Sequence, residues 1–158
     1  MKKKVLISAC LLGKNCRYNG RHSKLTELEE IDMEWISVCP EESGGLGTPR
    51  PSAEMQENAE TILNGKGKII TNKGKDVTAE FIQGAEKSLQ LGLEAEVKFA
   101  VLKSKSPSCG IGKIYDSSFT KTLKSGNGIF AHLCHENDIT CISSDNTSQI
   151  KKTLAKLK

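Results

Sequence analysis

The chain has 158 residues, is 37% hydrophobic and carries a formal net charge of +4. Its length and apolar content predict one domain over residues 1–158, and no stretch approaches the roughly 18 apolar residues that span a bilayer. Lysines are spread along the chain and only 4% of residues are aromatic, so we expect no nucleic-acid partner and no membrane association.

The first nine residues begin like an export signal, with three lysines before an apolar run. That run is too short for a signal and leads directly into a polar, glycine-containing loop. We therefore expect a cytoplasmic protein. In that compartment the six cysteines are reduced, metal-binding or catalytic rather than a disulfide framework.

Two short strands and two loops are predicted in the first third of the chain. Residues 4–9 form the first strand, 10–24 a polar loop, 25–33 a short helix and 35–38 the second strand. Residues 39–54 hold three prolines and three glycines. That density predicts a functional loop without regular structure.

The rest of the chain alternates helices and strands. The further elements, in chain order, are a helix or strand over 54–63, a strand over 68–71, a helix from Asp76 or Thr78 to about Gly92, a strand over 99–102, a loop over 103–115, a helix over 127–136, a strand over 139–142 and a helix over 147–157. This alternation predicts an α/β three-layer sandwich, with a Rossmann-like, mostly parallel sheet and helices on both faces.

Three cysteines lie after predicted strands. Cys10 follows the first strand, Cys39 the second, and Cys109 lies in the loop after 99–102. The carboxyl ends of parallel strands meet in one crevice, so these thiols are expected to converge. Converging thiolates suit a soft metal or an iron–sulfur cluster; the alternative is that the cysteines are buried structural residues.

The other cysteines are less clearly placed. Cys16 is a fourth ligand, a free thiol near the site or an oxidised partner of Cys10. Cys134 and Cys141 lie in a helix-like and a strand-like run and are predicted to pack in the core. The absence of a compact Cys-x-x-Cys pair argues against a zinc ribbon.

Charged residues flank the expected crevice. Glu41 and Glu42 follow the second strand, where a carboxylate acts as a general base or anchors a loop. Arg17 and Arg50 carry guanidinium groups suited to bracing loops or binding an anion, and Glu54 is a possible partner of Arg50.

Three serines surround Pro107 in the second special loop. Ser104, Ser106 and Ser108 are predicted either to donate hydrogen bonds to a bound ligand or to satisfy backbone groups in a turn.

Three segments together resemble the motifs of the thiouracil desulfidase family. They are SACLLGKNCRYNG over 8–20, CPEESGGLGTPRPSAE over 39–54 and KSKSPSCG over 103–110. Their length and order make the resemblance specific, and it extends over residues 4–145.

The resemblance implies an enzyme that binds a [4Fe-4S] cluster through three cysteines and leaves one iron open. Cys10, Cys39 and Cys109 match the ligands. The substrate is a small thiolated uracil or uridine, whose sulfur is replaced by water in a hydrolase- or lyase-type C–S cleavage without net redox. Glu41 would deprotonate the water and Ser106 would orient water or substrate. The alternative is a non-catalytic iron–sulfur or metal-binding module, a sulfur carrier or a sensor.

The sequence departs from the family pattern at three positions. Asn19 stands where the family usually has Asp, and Ser117 and Ser118 replace Gly and Thr in a Tyr-Asp-Gly-Thr-Phe element. These positions lie away from the expected ligands and bear on substrate preference.

Overall fold

The computed structural model describes residues 2–157. In chain order the strands and α-helices are β1 (Lys4–Ser8), β2 (Glu34–Val38), α1 (Pro40–Ser43), β3 (Ala53–Met55), α2 (Ala59–Leu63), β4 (Ile69–Thr71), α3 (Thr78–Glu94), β5 (Phe99–Leu102), β6 (Lys113–Tyr115), β7 (Leu123–Ser125), α4 (Ile129–Glu136), β8 (Thr140–Ser143) and α5 (Thr147–Ala155). Two 3-10 helices span Ala9–Leu12 and Thr26–Glu30.

The central sheet has four parallel strands in the order β2-β1-β5-β8. The chain runs outward from β1 to β2 and then crosses back to β5, so the strand order reverses between β1 and β5. Ligands of open α/β sheets bind at this reversal, beyond the carboxyl ends of the strands. Two antiparallel hairpins, β3–β4 and β6–β7, lie outside the sheet.

Helices cover both faces of the sheet, as the sequence predicted. Successive side chains of a strand point to opposite faces. Leu6 of β1 packs in the cluster that contains Phe81 of α3 and Phe130 of α4. Its neighbour Val5 packs in the other cluster, with Leu154 of α5. The α/β sandwich with a parallel sheet is therefore confirmed.

Helix α3 begins where the sequence predicted but ends differently. The N-cap residue is Val77, and the carboxylate of the preceding Asp76 accepts a hydrogen bond from the Thr78 backbone N–H at 2.9 Å, so the first N–H of the helix has a partner. The helix passes through Gly92 and ends at Glu94. Gly92 permits close packing rather than a stop, because a Cβ there would lie 2.4 Å from Leu6 Cδ1.

Three predictions of local structure need correction. The loop predicted over 103–115 ends in the strand β6, because its last three residues pair with β7. The loop over 39–54 was expected to be irregular, but it contains α1 and the start of β3. Pro40 occupies the first turn of α1, where proline leaves no hydrogen bond unmade. The predicted helix over 25–33 is a 3-10 helix over Thr26–Glu30. The 54–63 segment, predicted as helix or strand, contains the end of β3 and then α2.

Helix α1 lies directly against α3 because each side of the contact has a glycine: Gly44 directly follows α1, and Gly84 lies within α3. A Cβ on Gly44 would meet the Glu80 carbonyl oxygen at 1.9 Å, and a Cβ on Gly84 would meet the Pro40 carbonyl oxygen at 1.7 Å. Any larger residue would force the helices apart. This contact fixes α1, and therefore the residues at its start, relative to the sheet.

Within residues 2–157, none of the helices combines the length and the apolar composition that crossing a bilayer requires.

Candidate functional site

A cavity of about 940 Å³ opens beyond the carboxyl ends of β1, β2 and β5. Its volume is in the range of small-molecule sites. Four cysteines line it: Cys10, Cys16, Cys39 and Cys109. The cavity therefore lies where the strand order reverses, and it brings together thiols from distant parts of the chain.

Each of the three cysteines expected to converge is held by a different strand end. Cys10 lies in the 3-10 helix that follows β1, and Cys39 is the residue before the first turn of α1. Cys109 lies in the loop after β5. Cys10 and Cys109 are buried, and Cys39 is half-buried.

The thiol of Cys16 contacts two of the three cysteines, Cys10 and Cys39. Its hydrogen bond with Cys10 raises the pKa of the Cys16 thiol to about 11; the contact with Cys39 opposes this shift and burial adds to it. The contact with Cys16, followed by burial, also raises the pKa of Cys39, while the Glu42 backbone N–H lowers it. The Cys16 and Cys39 thiols therefore lose their protons less readily than an ordinary cysteine, and binding of a metal as thiolate would release those protons.

Cys109 is held in a different environment. Burial raises the pKa of its thiol, and a hydrogen bond from Ser8 opposes that shift. The Ser8 hydroxyl also accepts the Lys103 backbone N–H at 2.9 Å and so ties the end of β1 to the end of β5. Sequence reasoning did not single out Ser8 as a site residue, although it is the first residue of the 8–20 motif.

The donor set suits a cluster better than a single ion. Among residues 2–157, no three His, Cys, Asp or Glu side chains are placed to hold one metal ion. In an iron–sulfur cluster each cysteine binds a different iron, so its ligands surround the group instead of meeting at one point. The cavity also contains Ser108, whose buried hydroxyl has no hydrogen-bond partner within 2–157. A buried hydroxyl needs a partner, and cluster sulfurs accept hydrogen bonds.

Glu41 is paired with Arg50 at the cavity wall. Arg50 donates to Glu41 Oε2 from Nε at 3.1 Å and from Nη2. The Glu41 side chain is 15% exposed and the Arg50 side chain 7% exposed, so the ion pair is largely shielded from solvent. The alternative in which Arg50 pairs with Glu54 is not observed: Glu54 accepts backbone N–H groups of the β6–β7 turn.

The remaining donors of Arg50 brace loops. Nη1 donates to the Gly47 carbonyl at 3.1 Å and to Thr48 Oγ1 at 2.9 Å, and Nη2 donates to the Cys16 carbonyl at 2.9 Å. Arg17 also lines the cavity, but its guanidinium makes no hydrogen bond or ion pair with residues 2–157. Of the two arginines, Arg50 is committed to the loops and Arg17 faces the cavity uncommitted.

Glu42 anchors a loop. Burial disfavours its charge, but hydrogen bonds from Thr48 at 2.5 Å and Lys14 at 3.1 Å outweigh burial and lower the pKa of Glu42. Of the two adjacent acids, Glu42 is engaged by other side chains at both oxygens.

Ser106 is the serine that stabilises the loop carrying Cys109. Ser106 Oγ accepts the backbone N–H groups of Ser108 at 3.0 Å and Cys109 at 3.1 Å. Its hydroxyl proton has no acceptor within residues 2–157. Ser104 Oγ accepts from Lys103 Nζ at 3.3 Å. The turn-stabilising alternative therefore holds for Ser106, and its O–H remains available as a donor.

Lys103 is a cavity residue that sequence reasoning did not select. Burial, followed by the nearby Arg17 charge, lowers the pKa of its ammonium group. The sequence feature that could have identified Lys103 as a site residue is its position at the start of the 103–110 motif.

Cys134 and Cys141 lie outside the cavity lining. Cys134 is fully buried in the core, and Cys141 packs against the same cluster, as predicted. The two thiols contact each other, and the hydrogen bond with Cys141 raises the pKa of Cys134. His132 forms a surface contact with Glu136 at 2.9 Å.

Known proteins resemble this chain over nearly its whole length. The 2-thiouracil desulfurase family model matches residues 5–146. The uncharacterized protein YbbK of Bacillus subtilis (strain 168) is 37% identical over 149 residues, which are 92% of this chain and 99% of YbbK.

A solved structure, the [4Fe-4S]-dependent thiouracil desulfidase TudS, is also 37% identical. It superposes with a TM-score of 0.85, and the match covers 98% of this chain and 99% of that chain. These likenesses agree with the motifs and the parallel sheet, and the chain belongs to the 2-thiouracil desulfurase family.

Proposed function

We propose that this protein removes sulfur from a thiolated uracil or uridine and releases sulfide and the oxo-pyrimidine. The observation that carries the proposal is the cavity in which Cys10, Cys39 and Cys109 meet beside the half-engaged carboxylate of Glu41. The balanced reaction replaces C=S by C=O with one water and one hydrogen sulfide. It needs no electron donor. The proposed setting is the cytoplasm, and the substrate is a small molecule.

Cys10, Cys39 and Cys109 would hold a [4Fe-4S] cluster, since they are the soft donors supplied by three separate strand ends. When bound, the cluster supplies an iron without a cysteine ligand, a soft Lewis acid matched to a thiocarbonyl sulfur. Cys16 lines the same cavity, and we assign it the role of a free thiol beside the ligands.

Glu41 is the proposed general base. Arg50 occupies Oε2 and fixes the direction of the carboxylate, whereas Oε1 receives no hydrogen bond from residues 2–157. Oε1 can therefore accept a proton from a water in the cavity. General bases of this kind typically contribute about 10²–10⁴ to the rate.

Ser106 is the proposed positioning residue. Two backbone N–H groups fix its oxygen, so the hydroxyl can direct its remaining proton toward water or substrate. Arg17 and Lys103 are cationic groups of the same wall and favour an electron-rich ligand.

Sulfide release tests the proposal. The protein is reconstituted with iron and sulfide without oxygen, freed of excess reagent and incubated with 2-thiouracil. We expect sulfide and uracil in equal amounts over many turnovers, without added reductant. The Cys141→Ser variant, altered outside the cavity, serves as the matched control. A protein that holds its cluster but turns over no thiopyrimidine would instead be a sulfur carrier or a sensor.

A further inference from the structure

The turn of the β6–β7 hairpin reaches the cavity. Phe119 lies in this turn, lines the cavity and is 37% exposed. Leu123, on β7 of the same hairpin, is 38% exposed but does not line the cavity. One of two equally exposed apolar side chains is thus directed to the site.

A buried acid holds this turn in place. Glu54 is 7% exposed, and its Oε1 accepts the backbone N–H groups of Ser117 at 2.9 Å and Phe119 at 3.2 Å. A buried carboxylate is unfavourable unless it is compensated, and hydrogen bonds to charged acceptors are the stronger kind. Glu54 therefore anchors a segment more than 60 residues away in sequence to the cavity wall.

The backbone of the turn is strained. Ser117, Phe119 and Lys121 have φ angles of +78°, +58° and +63°. L residues disfavour this left-handed region, and such strain persists where the surroundings impose it, often at ligand sites. Two of these residues, Phe119 and Lys121, line the cavity.

We propose that Phe119 binds the face of the pyrimidine ring of the substrate and that Glu54 is a positioning residue that acts through Phe119. This proposal rests on the proposed function for the identity of the ring. Aromatic side chains stack on any flat heterocycle, so Phe119 selects a planar ring irrespective of which atom carries sulfur. Tyr18, 45% exposed at the same cavity, is the second exposed aromatic residue that lines it within residues 2–157.

Binding of uracil, which cannot react, tests the role of Phe119 without turnover. The dissociation constant is measured by ligand-observed NMR on the reconstituted protein. Phe119→Ala should raise it about 5- to 100-fold, the usual effect of removing one stacking partner. Phe119→Tyr, which keeps the ring, and Leu123→Ala, the matched control, should stay within about twofold of the parent. Equal binding by Phe119→Ala and the parent overturns the proposal.

Turnover of 2-thiouracil separates this inference from the proposed function. Phe119→Ala should raise KM and leave kcat within about threefold, because stacking binds substrate and transition state alike. If the parent binds uracil but releases no sulfide, the proposed function fails, and the uracil affinities still decide the role of Phe119. If the parent binds no pyrimidine, both fail.

A double-mutant cycle tests Glu54. Glu54→Gln should raise KM in the parent but have little further effect in Phe119→Ala, because the two changes act on one contact. A merely structural role would give equal effects in both backgrounds and would overturn the assignment of Glu54. Glu54→Asp, which keeps the charge but shortens the reach, replaces Glu54→Gln if that variant does not fold.

Discussion

Arg50 donates two hydrogen bonds to one oxygen of Glu41, Oε2, and the other oxygen, Oε1, has no donor among residues 2–157. A bidentate contact with both oxygens would have occupied the carboxylate. The observed contact instead orients the carboxylate and leaves one oxygen able to accept a proton.

Glu41→Gln should therefore keep the cluster but lose most turnover. The amide is nearly isosteric but cannot take a proton from water, so we expect kcat to fall about 10²–10⁴-fold with an unchanged absorption spectrum. Ser106→Ala should lose less. The matched control is Glu42→Gln, because Thr48 and Lys14 already engage that side chain. A larger loss in Glu42→Gln than in Glu41→Gln would make Glu42 the base.

Arg50→Lys should destabilise the fold despite the conserved charge. A lysine cannot reach Glu41, the Cys16 carbonyl and the 47–48 loop together, so the partly buried Glu41 is left poorly paired. We expect the free energy of unfolding to fall by about 1–3 kcal/mol, measured by urea denaturation. Arg21→Lys, at an exposed position, is the control and should change it by less than about 0.5 kcal/mol. Equal stability of Arg50→Lys and the parent would contradict this account.

The sequence was informative about the site because strands end in recognisable places. Apolar runs located β1, β2 and β5, and the rule that parallel strands share one open edge then brought Cys10, Cys39 and Cys109 together. No such rule applies to Arg50. Glu54 is nearer to Arg50 in sequence than Glu41 is. In the fold, however, Glu41 at the start of α1 lies beside Arg50, and Glu54 on β3 contacts the β6–β7 turn.

The close packing of α3 against β1 could not be predicted from the sequence pattern either. Gly92 at the end of an apolar stripe indicates a helix stop, and only the position of Leu6 shows that the helix needs a residue without a Cβ there. The hairpin turn of Phe119 has no periodicity, so its place at the cavity depends on a long-range contact that spacing cannot reveal.

The cysteine variants should fall into two classes, those that lose the cluster and those that retain it. Ala at Cys10, Cys39 or Cys109 should abolish cluster assembly, because each change removes one of the three proposed thiolate ligands and a methyl group cannot bind iron. Cys134→Ser and Cys141→Ser should retain iron, since neither residue lines the cavity. Iron and acid-labile sulfide per chain are measured after anaerobic reconstitution.

Cys16→Ala distinguishes a free thiol from a fourth ligand. As a free thiol, Cys16 is dispensable, and we expect parental iron content and turnover. Loss of the cluster in Cys16→Ala, or full cluster content in Cys109→Ala, would refute the ligand assignment.

Gly84→Ala should damage both the fold and the site. The added methyl group would meet the Pro40 carbonyl oxygen at 1.7 Å, so α1 must move away from α3 and take Cys39 with it. Such overpacking costs about 1–3 kcal/mol of unfolding free energy, and we expect reduced iron content as well. Gly47→Ala is the control, because a Cβ there has no atom within 4 Å. Parental stability and iron content in Gly84→Ala would contradict the packing argument.

Ser117→Gly should stabilise the protein. Ser117 has a φ angle of +78°, which costs an L residue about 1–2 kcal/mol and costs glycine almost nothing. The greater freedom of glycine in the unfolded chain cancels part of this gain, so we expect a net increase of about 0.5–1 kcal/mol. The change keeps the backbone N–H that Glu54 accepts, and it restores the glycine usual at this position of the family pattern.

The control is Ser118→Gly at the adjacent position, which should change the unfolding free energy in the opposite direction. Ser118 has no positive φ to relieve, and its hydroxyl donates to Asp116 at 2.5 Å. Losing that bond should lower the unfolding free energy by about 1 kcal/mol. Urea denaturation of both variants measures the difference. If Ser117→Gly is as destabilised as Ser118→Gly, then the turn is not strained at Ser117, and Glu54 holds a conformation that the chain adopts without cost.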